Sequence, residues 1–334
     1  MSIMVNIKSR KSDRIKECAT LAIYLRYPKM IAKVPTVKLS SGYEMPTIGL
    51  GTYARNAEQG QVQKAVEWGI EAGYRHVDTA MIYRNEEQVG EGIANKIKQG
   101  LVIRDDLFVT TKLWNDKHAE ADVLPALEQS LSKLKLTYVD LYLIHWPVSV
   151  DQNDEDTGID YIETWRGMEN VVKLGLARSI GVSNFNKEQL DRLLTAAQIK
   201  PAVCQFEISP TLTQHDLVDY CKKLSIAPVA YTPLGLLSDA RPEFSGKDLI
   251  KTDPKLGELS QKYGKSRAQI ALRYLIQRGI TVIPKSFTKS RIEDNLNLFD
   301  FELSRKDMNL VDSYNLNLRC VPALGMSNLK NFPF

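Results

Sequence analysis

No two of the four cysteines, Cys18, Cys204, Cys221 and Cys320, stand at C-x-x-C spacing in the 334-residue chain, and no cysteine/histidine cluster forms a zinc-ligand set. Thiols spread so thinly read as free thiols of a reducing compartment, taken here as the cytoplasm. No apolar run approaches the ~18 residues that a bilayer-spanning helix needs, so the chain reads as soluble. A dinucleotide fingerprint is half present: "GLGTYA" at 49–54 lacks the third glycine, and no acidic residue follows at the right distance on a second strand. Its glycines fit a close backbone approach at a strand end instead. A surplus of one charge is also missing from most of the chain. Of the net +4, residues 1–33 carry +6 through eight Lys/Arg against Asp13 and Glu17, which leaves the rest at −2. A slightly acidic body gives no basis for a nucleic-acid surface.

What is present is ordinary for a chain with a full core, 43% hydrophobic and 25% charged. The first 33 residues read as a basic extension, helical or disordered, or as an upstream start with Met30 as an alternative initiator. Asp13 and Glu17, and the absence of a small-residue cleavage site, argue against a targeting peptide.

From Met45 onward, β-branched runs at 46–53, 74–80, 107–113, 138–146, 177–184, 203–208, 227–233 and 280–286 read as strands. They alternate with helical patterns at 59–72, 86–99, 119–135, 161–174, 187–197, 213–224, 266–278 and 289–298. Leu124, Leu127, Leu131 and Leu134 show the three- and four-residue spacing of a helix that covers a sheet. Eight βα units without a Pro/Gly-rich linker predict an α/β fold of the (β/α)8 TIM-barrel type over 34–334, with an extra C-terminal helix and tail. An acidic loop at 148–160 is placed to shape the mouth, and the nonperiodic tail 313–334 is within reach of it.

In such a barrel Asp78, Lys112 and His145 end strands two, three and four, with Tyr83 in the loop after strand two. Neighbouring strand ends lie within roughly 5–10 Å of one another. A lysine ammonium ~4 Å from a phenol contributes about 4 kcal/mol at an effective dielectric of ~20, or about three pKa units. That is expected to bring Tyr83 from ~10 towards neutrality. Asp78 would keep Lys112 charged, and His145 would donate to a substrate oxygen, giving a proton donor and an oxyanion pocket without a metal. Each residue has a plainer reading alone: Asp78 and Lys112 as a structural pair, His145 as a satisfied core histidine, and His76 more so. Paired carboxylates across the mouth, which a glycosidase needs, are not found.

Lys285, Ser286, Thr288 and Arg291 surround a helix N-terminus after strand eight, an anion site that suits a phosphorylated cofactor; a solvated basic helix start is the plainer alternative. Tyr53, Trp114 and Trp146 follow strand ends and either line an apolar substrate pocket or cap the barrel.

The segments "MPTIGLGTY", "AGYRHVDTAMIYRNEEQVG", "TKLWN", "DLYLIHWP", "GVSNFN", "AYTPLG" and "VIPKSFTKSRIEDN" resemble, in order, the signatures of the aldo-keto reductase superfamily over residues 35–334. The resemblance implies an NADPH-dependent carbonyl reductase with Tyr83 as proton donor, Lys112 and Asp78 tuning it, and His145 orienting the carbonyl. It implies Ser183, Asn184 and Gln205 on the nicotinamide carboxamide, Tyr231 stacked on the ring, and Gly51, Thr52, Leu234 and Gly235 along the cofactor. Lys285, Ser286 and Arg291 would hold the 2′-phosphate, Thr288 would also bind the cofactor, and Asp294 and Asn295 would contact the adenine. Tyr53 stands where many relatives carry tryptophan, Asp294 replaces the usual glutamate, and the 148–160 loop is short, which should open the mouth to bulky substrates. "EEQVGEGIA", "LFVTTKLWNDKHA", "ETWRGM" and "LGLARSIGVSNFN" are similar to insect members, among them 3-dehydroecdysone reductases, which implies a ketosteroid substrate. The expectation is thus a monomer acting on a small carbonyl compound, with no metal, nucleic-acid or membrane partner. The rival is an NADPH-binding barrel with little turnover, serving as a redox-sensing partner subunit.

Overall fold

The computed structural model of the protein describes residues 34–54, 58–237 and 249–334, so the N-terminal extension read in 1–33 lies outside the described residues. A hairpin comes first. β1 (Thr36–Lys38) pairs antiparallel with β2 (Glu44–Pro46), Val37 facing Met45, around a turn in which Gly42 takes φ +91°. Leu39 and Met45 from this hairpin are buried among Phe108, Leu143, Val203 and Val229. Phe108 and Val203 begin their strands, so the hairpin stops the N-terminal end of the barrel with side chains.

Eight parallel strands follow: β3 (Leu50–Gly51), β4 (His76–Asp78), β5 (Phe108–Leu113), β6 (Val139–Ile144), β7 (Ala177–Ser183), β8 (Val203–Glu207), β9 (Ala227–Tyr231) and β10 (Thr281–Val282). They pair in chain order, and parallel bridges Ile48↔Val282 and Gly51↔Lys285 join the last strand to the first. The eight strands read from the sequence are therefore all present. The two at the seam are shorter than expected because Pro284 has no N–H for the ladder and only accepts, at 3.1 Å from Gly51 N. A Cβ on Gly51 would stand 2.7 Å from the Ile283 carbonyl oxygen, so the seam closes only on glycine.

Helices α1 (Gln61–Ala72), α2 (Glu86–Lys98), α3 (Glu120–Leu134), α4 (Tyr161–Lys173), α5 (Lys187–Ala196) and α6 (His215–Lys223) cover the outside. Along α3, Leu127, Leu131 and Leu134 of the expected stripe are buried; Val123 rather than the half-buried Leu124 continues it. Beyond β9 come α7 (Leu249–Thr252), α8 (Pro254–Tyr263), α9 (Arg267–Gln277), α10 (Lys289–Leu296) and α11 (Arg305–Asp312). Helix α8 was not read from the sequence, although its ends are marked. Asp253 Oδ1 accepts from Lys255 N and Leu256 N, Pro254 fills the first turn, and Gly264 ends it at φ +62°.

Candidate active site

Strand alternation delivers the polar groups. Residues two apart face the same side of a strand, so His76 and Asp78 on β4, Thr110 and Lys112 on β5, and Gln205 and Glu207 on β8 point inward together. The deeper members of these rows meet one another: His76 Nε2 lies 3.1 Å from Thr110 Oγ1, and its ring sits edge-on to Phe108 at 5.0 Å. Burial pushes His76 down to about 4, so it is a neutral core residue. The plainer reading of His76 holds.

One layer higher, the Lys112 ammonium donates to Asp78 Oδ1 at 2.5 Å and to the Thr79 carbonyl at 2.9 Å, while Gln205 Nε2 donates to Asp78 Oδ2 at 2.8 Å. Both charged side chains are buried. Tyr83 ends a 3-10 turn (Met81–Tyr83) above them, its ring centroid 5.2 Å from the ammonium, 5.0 Å from the Tyr53 ring and 5.8 Å from the His145 ring.

The electrostatics correct one expectation. Tyr83 is half-buried, and burial, with Asp78 next and then Tyr231 and Tyr53, raises its hydroxyl well above the usual phenol range. Lys112 does not bring it towards neutrality. The reason is geometric: the ammonium is spent on a carboxylate 2.5 Å away, so the phenol faces a nearly neutral pair rather than a lone cation. Burial also lowers Lys112, against the opposing pull of Asp78. The consequence is a Tyr83 that stays protonated, the form a proton donor needs.

His145 is driven well below its ordinary value by burial and by the Lys112 charge, so its imidazole is neutral. Its Nδ1 is buried without a hydrogen-bond partner among the described residues. A buried N–H without an acceptor is the rarer defect, which assigns the single ring proton to Nε2. Its backbone carbonyl is held by Asn184 Nδ2 at 2.9 Å and its ring lies edge-on to Trp114 at 5.1 Å.

These groups floor a cavity of about 910 Å³ at the C-terminal ends of the strands. Tyr53, Trp114 and Trp146 line it. Trp146 is anchored from behind by Phe334 at 5.8 Å, and Val321, Ala323 and Met326 complete the wall, so the tail does reach the mouth. Lys330 N bonds Asp156 in the 148–160 loop.

Of the residues expected along a cofactor, Gly51, Thr52, Asn184, Gln205, Tyr231, Leu234 and Lys285 line the cavity. Ser183 lies behind Asn184, 3.1 Å from its Nδ2. Asn184 sits at φ +62° with Oδ1 accepting from the Tyr231 hydroxyl at 2.7 Å. Both ends of that amide are thus engaged inside the protein. Gly235 takes φ +48°, and a Cβ there would meet Ser209 Oγ at 2.5 Å. Ser286, Thr288, Arg291, Asp294 and Asn295 are not in the cavity wall; they follow the seam into α10, whose first turn has no side-chain cap. Arg291 and Thr288 are exposed there, Asp294 is exposed, and Ser286 and Asn295 are buried.

Two supporting residues escaped the sequence reading. Asn85, at the N-terminus of α2, does not cap it; its Nδ2 donates to the Thr52 carbonyl at 2.9 Å and its Oδ1 accepts from Thr79. Glu207 accepts from Cys320 N at 2.6 Å and Val321 N at 2.9 Å, tying the tail to β8. Its inward position followed from Gln205 two residues earlier, but its partner 113 residues away did not. Among the described residues no group of three or more His, Cys, Asp or Glu is placed to hold a metal, and no helix is long and apolar enough to cross a membrane.

A closed eight-stranded barrel with a tyrosine, a histidine and a buried Lys–Asp pair at its mouth defines a class of carbonyl-reducing enzymes. The Aldo/keto reductase family model matches residues 47–316. Aldo-keto reductase AKR2E4 of Bombyx mori is 47% identical over 308 residues, 91% of this chain and all of that protein. Its crystal structure in complex with NADP superposes with TM-score 0.86, over 91% of this chain and 100% of that one. Crystalline AKR2E5 complexed with NADPH is 42% identical with TM-score 0.88, covering 90% of this chain and 94% of that one. Estradiol 17 beta-dehydrogenase 5 of Mus musculus is 39% identical over 319 residues, 91% of this chain and 99% of that protein. The chain belongs to the aldo/keto reductase family, and it is an oxidoreductase of carbonyl and alcohol groups.

Proposed function

We propose that the protein reduces aldehydes or ketones to alcohols with NADPH, using Tyr83 as the proton donor. One observation carries this reading: Tyr83 and His145 stand 5.8 Å apart, ring to ring, on the floor of one cavity, with the Lys112–Asp78 pair sealed behind the phenol.

The residues fit the cofactor. Lys285 at the seam, Tyr83, the Tyr231 ring and the apolar Leu234 line one cavity. Lys285 and Arg291, with the uncapped N–H groups of α10, form a cationic donor set for a 2′-phosphate. Ser183, Asn184 and Gln205 would hold the carboxamide, and Asp294 and Asn295 the adenine, as the family resemblance implies. Bound NADPH supplies a hydride to the carbonyl carbon. Tyr83 O–H and His145 Nε2–H then both point donors at the oxygen that gains charge, and a pre-aimed donor of this kind contributes on the order of 3 kcal/mol to the transition state. Tyr83 gives up its proton as the alkoxide forms, with the Lys112–Asp78 pair beneath the phenol. Gln205 and the Thr79 carbonyl keep the Asp78–Lys112 pair in register while that charge appears.

For the substrate we favour 3-dehydroecdysone or another ketosteroid. The breadth of the cavity and its apolar lining by Ile82, Trp114, Val321 and Met326 support a bulky, flat body, as does the 39% identity to a relative named for estradiol. Buried free thiols at Cys204 and Cys221 suit the reducing cytoplasm, where we place the protein as a monomer. The test is NADPH consumption against small aldehydes, sugars and ketosteroids. Turnover of ketosteroids with NADPH in preference to NADH is the expected result; activity on none of them would leave a cofactor-binding barrel without turnover.

A further inference from the structure

Arg84 follows Tyr83 directly and is unlike the other residues around the cavity. It lines the cavity wall, is exposed, and forms no ion pair or hydrogen bond through its side chain with the described residues. Exposed Arg192 is held by Asp160 at 2.5 Å, and of the exposed arginines that make no ion pair with the described residues, Arg84, Arg166, Arg291 and Arg305, Arg84 alone lines the cavity. Its backbone is also unusual. Arg84 closes the Met81–Tyr83 turn at φ 53°, ψ 31°, with its N–H on the Met81 carbonyl. Glycine or asparagine is at ease in that left-handed conformation and an arginine is not. A strained, unpartnered cation beside the proton donor is a pattern that points to a ligand.

The surrounding charges say which ligand. Two other charged residues line the cavity, Asp78 and Lys285. Asp78 is neutralised by Lys112 at 2.5 Å, and Lys285, whose ammonium lies 4.7 Å from the Phe287 ring centroid, adds positive charge at the far end. No unpaired acid among the lining residues competes for the guanidinium. The wall between is apolar, from Ile82, Trp114 and Met326. A carbonyl compound seated at Tyr83 therefore meets a planar, forked donor only a side chain away, the geometry that carboxylates match bidentately.

We propose that Arg84 is a specificity-determining residue that selects, among carbonyl compounds of similar body, those carrying a carboxylate near the reacting carbonyl. This rests on the reductase reading, not on the ketosteroid preference, and sets carboxylate-bearing carbonyl compounds beside the neutral ones as a second substrate class.

The test uses the full chain and two matched aldehydes, 4-carboxybenzaldehyde and its neutral methyl ester, with NADPH, for the wild type, Arg84→Gln and Arg84→Lys. The expected wild-type preference for the carboxylate in kcat/KM is roughly tenfold, the equivalent of ~1.4 kcal/mol for one charge-assisted contact. It should be carried by KM and should shrink with added salt. Arg84→Gln should abolish the preference, and Arg84→Lys should keep part of it. An equal kcat/KM for the two aldehydes in the wild type, or a preference that survives in Arg84→Gln, overturns the proposal. A loss of NADPH affinity in Arg84→Gln, read by fluorescence titration, would assign the guanidinium to the cofactor and overturn it too. Reduction of neither aldehyde would refute the reductase reading itself, and the subsite with it.

Discussion

Replacing Lys112 by methionine keeps much of the side-chain volume and removes the charge that answers Asp78. At 2.5 Å and an effective dielectric of ~20 the pair attracts by about 6–7 kcal/mol, offset by the several kcal/mol it takes to desolvate each ion. Loss of one partner from a buried pair typically destabilises by ~3–5 kcal/mol. The penalty has a ceiling, because a carboxyl left alone can take up a proton. Lifting a carboxyl from its ordinary ~3.9 to pH 7 takes about 4 kcal/mol, but to pH 5 only about 1.5. The gap between wild type and Lys112→Met should therefore be about 4 kcal/mol at pH 7 and narrow towards about 2 at pH 5, where the lost bond to the Thr79 carbonyl dominates. The sign follows from linkage: the carboxyl would bind its proton more tightly in the folded variant than in the unfolded chain, so the variant gains relative stability as pH falls. Adding Asp78→Asn should recover most of the pH 7 loss, since no buried charge is then left. Guanidinium unfolding of the three proteins at both pH values reads these quantities. A single variant as stable as wild type at pH 7, or a double variant no better than the single, would refute a pair held by burial and charge.

Two further outcomes are expected. His118 is buried with both ring nitrogens unpartnered among the described residues and is pushed down to about 3 by burial; the unfolded chain takes up its proton below ~6.5 while the fold does not, so stability falls as pH falls across that window, at about 1.4 kcal/mol per unit. His118→Leu should make the stability slope between pH 6 and pH 4 shallower by that amount, measured by denaturant titration at each pH. Gly51→Ala would place a Cβ 2.7 Å from the Ile283 carbonyl oxygen at the barrel seam, which should destabilise by about 1–3 kcal/mol and weaken NADPH binding by shifting Lys285, as thermal unfolding and fluorescence titration would show.

The barrel was legible because its strands and helices repeat two clear periods. Runs such as Val139–Ile144 are buried along their whole length, and helices such as α3 carry an unbroken apolar stripe. The hairpin Thr36–Lys38 with Glu44–Pro46 was missed because three-residue strands show no alternation to count, and their partners lie in the barrel floor. Helix α8 was missed although Asp253, Pro254 and Gly264 mark both its ends. At the site, Asp78, Lys112, Tyr83 and His145 do converge as strand order implied. The state of Tyr83 was misjudged because the sequence shows that a lysine is near, and not that its charge is already taken at 2.5 Å by Asp78. Glu207, Asn85 and the tail contacts depend on partners distant in the chain, which no local pattern reveals.

The central claim is that the Tyr83 hydroxyl hands its proton to the reduced carbonyl, and Tyr83→Phe tests it most directly. The substitution removes one oxygen and leaves the ring that packs on Tyr53 at 5.0 Å and on His145 at 5.8 Å. Kcat for the best carbonyl substrate of the panel should fall by about 10²–10⁴-fold, the usual contribution of a positioned general acid, while the NADPH dissociation constant stays within about twofold of wild type. Turnover within tenfold of wild type, at unchanged cofactor affinity, would contradict the assignment and place the proton donor elsewhere.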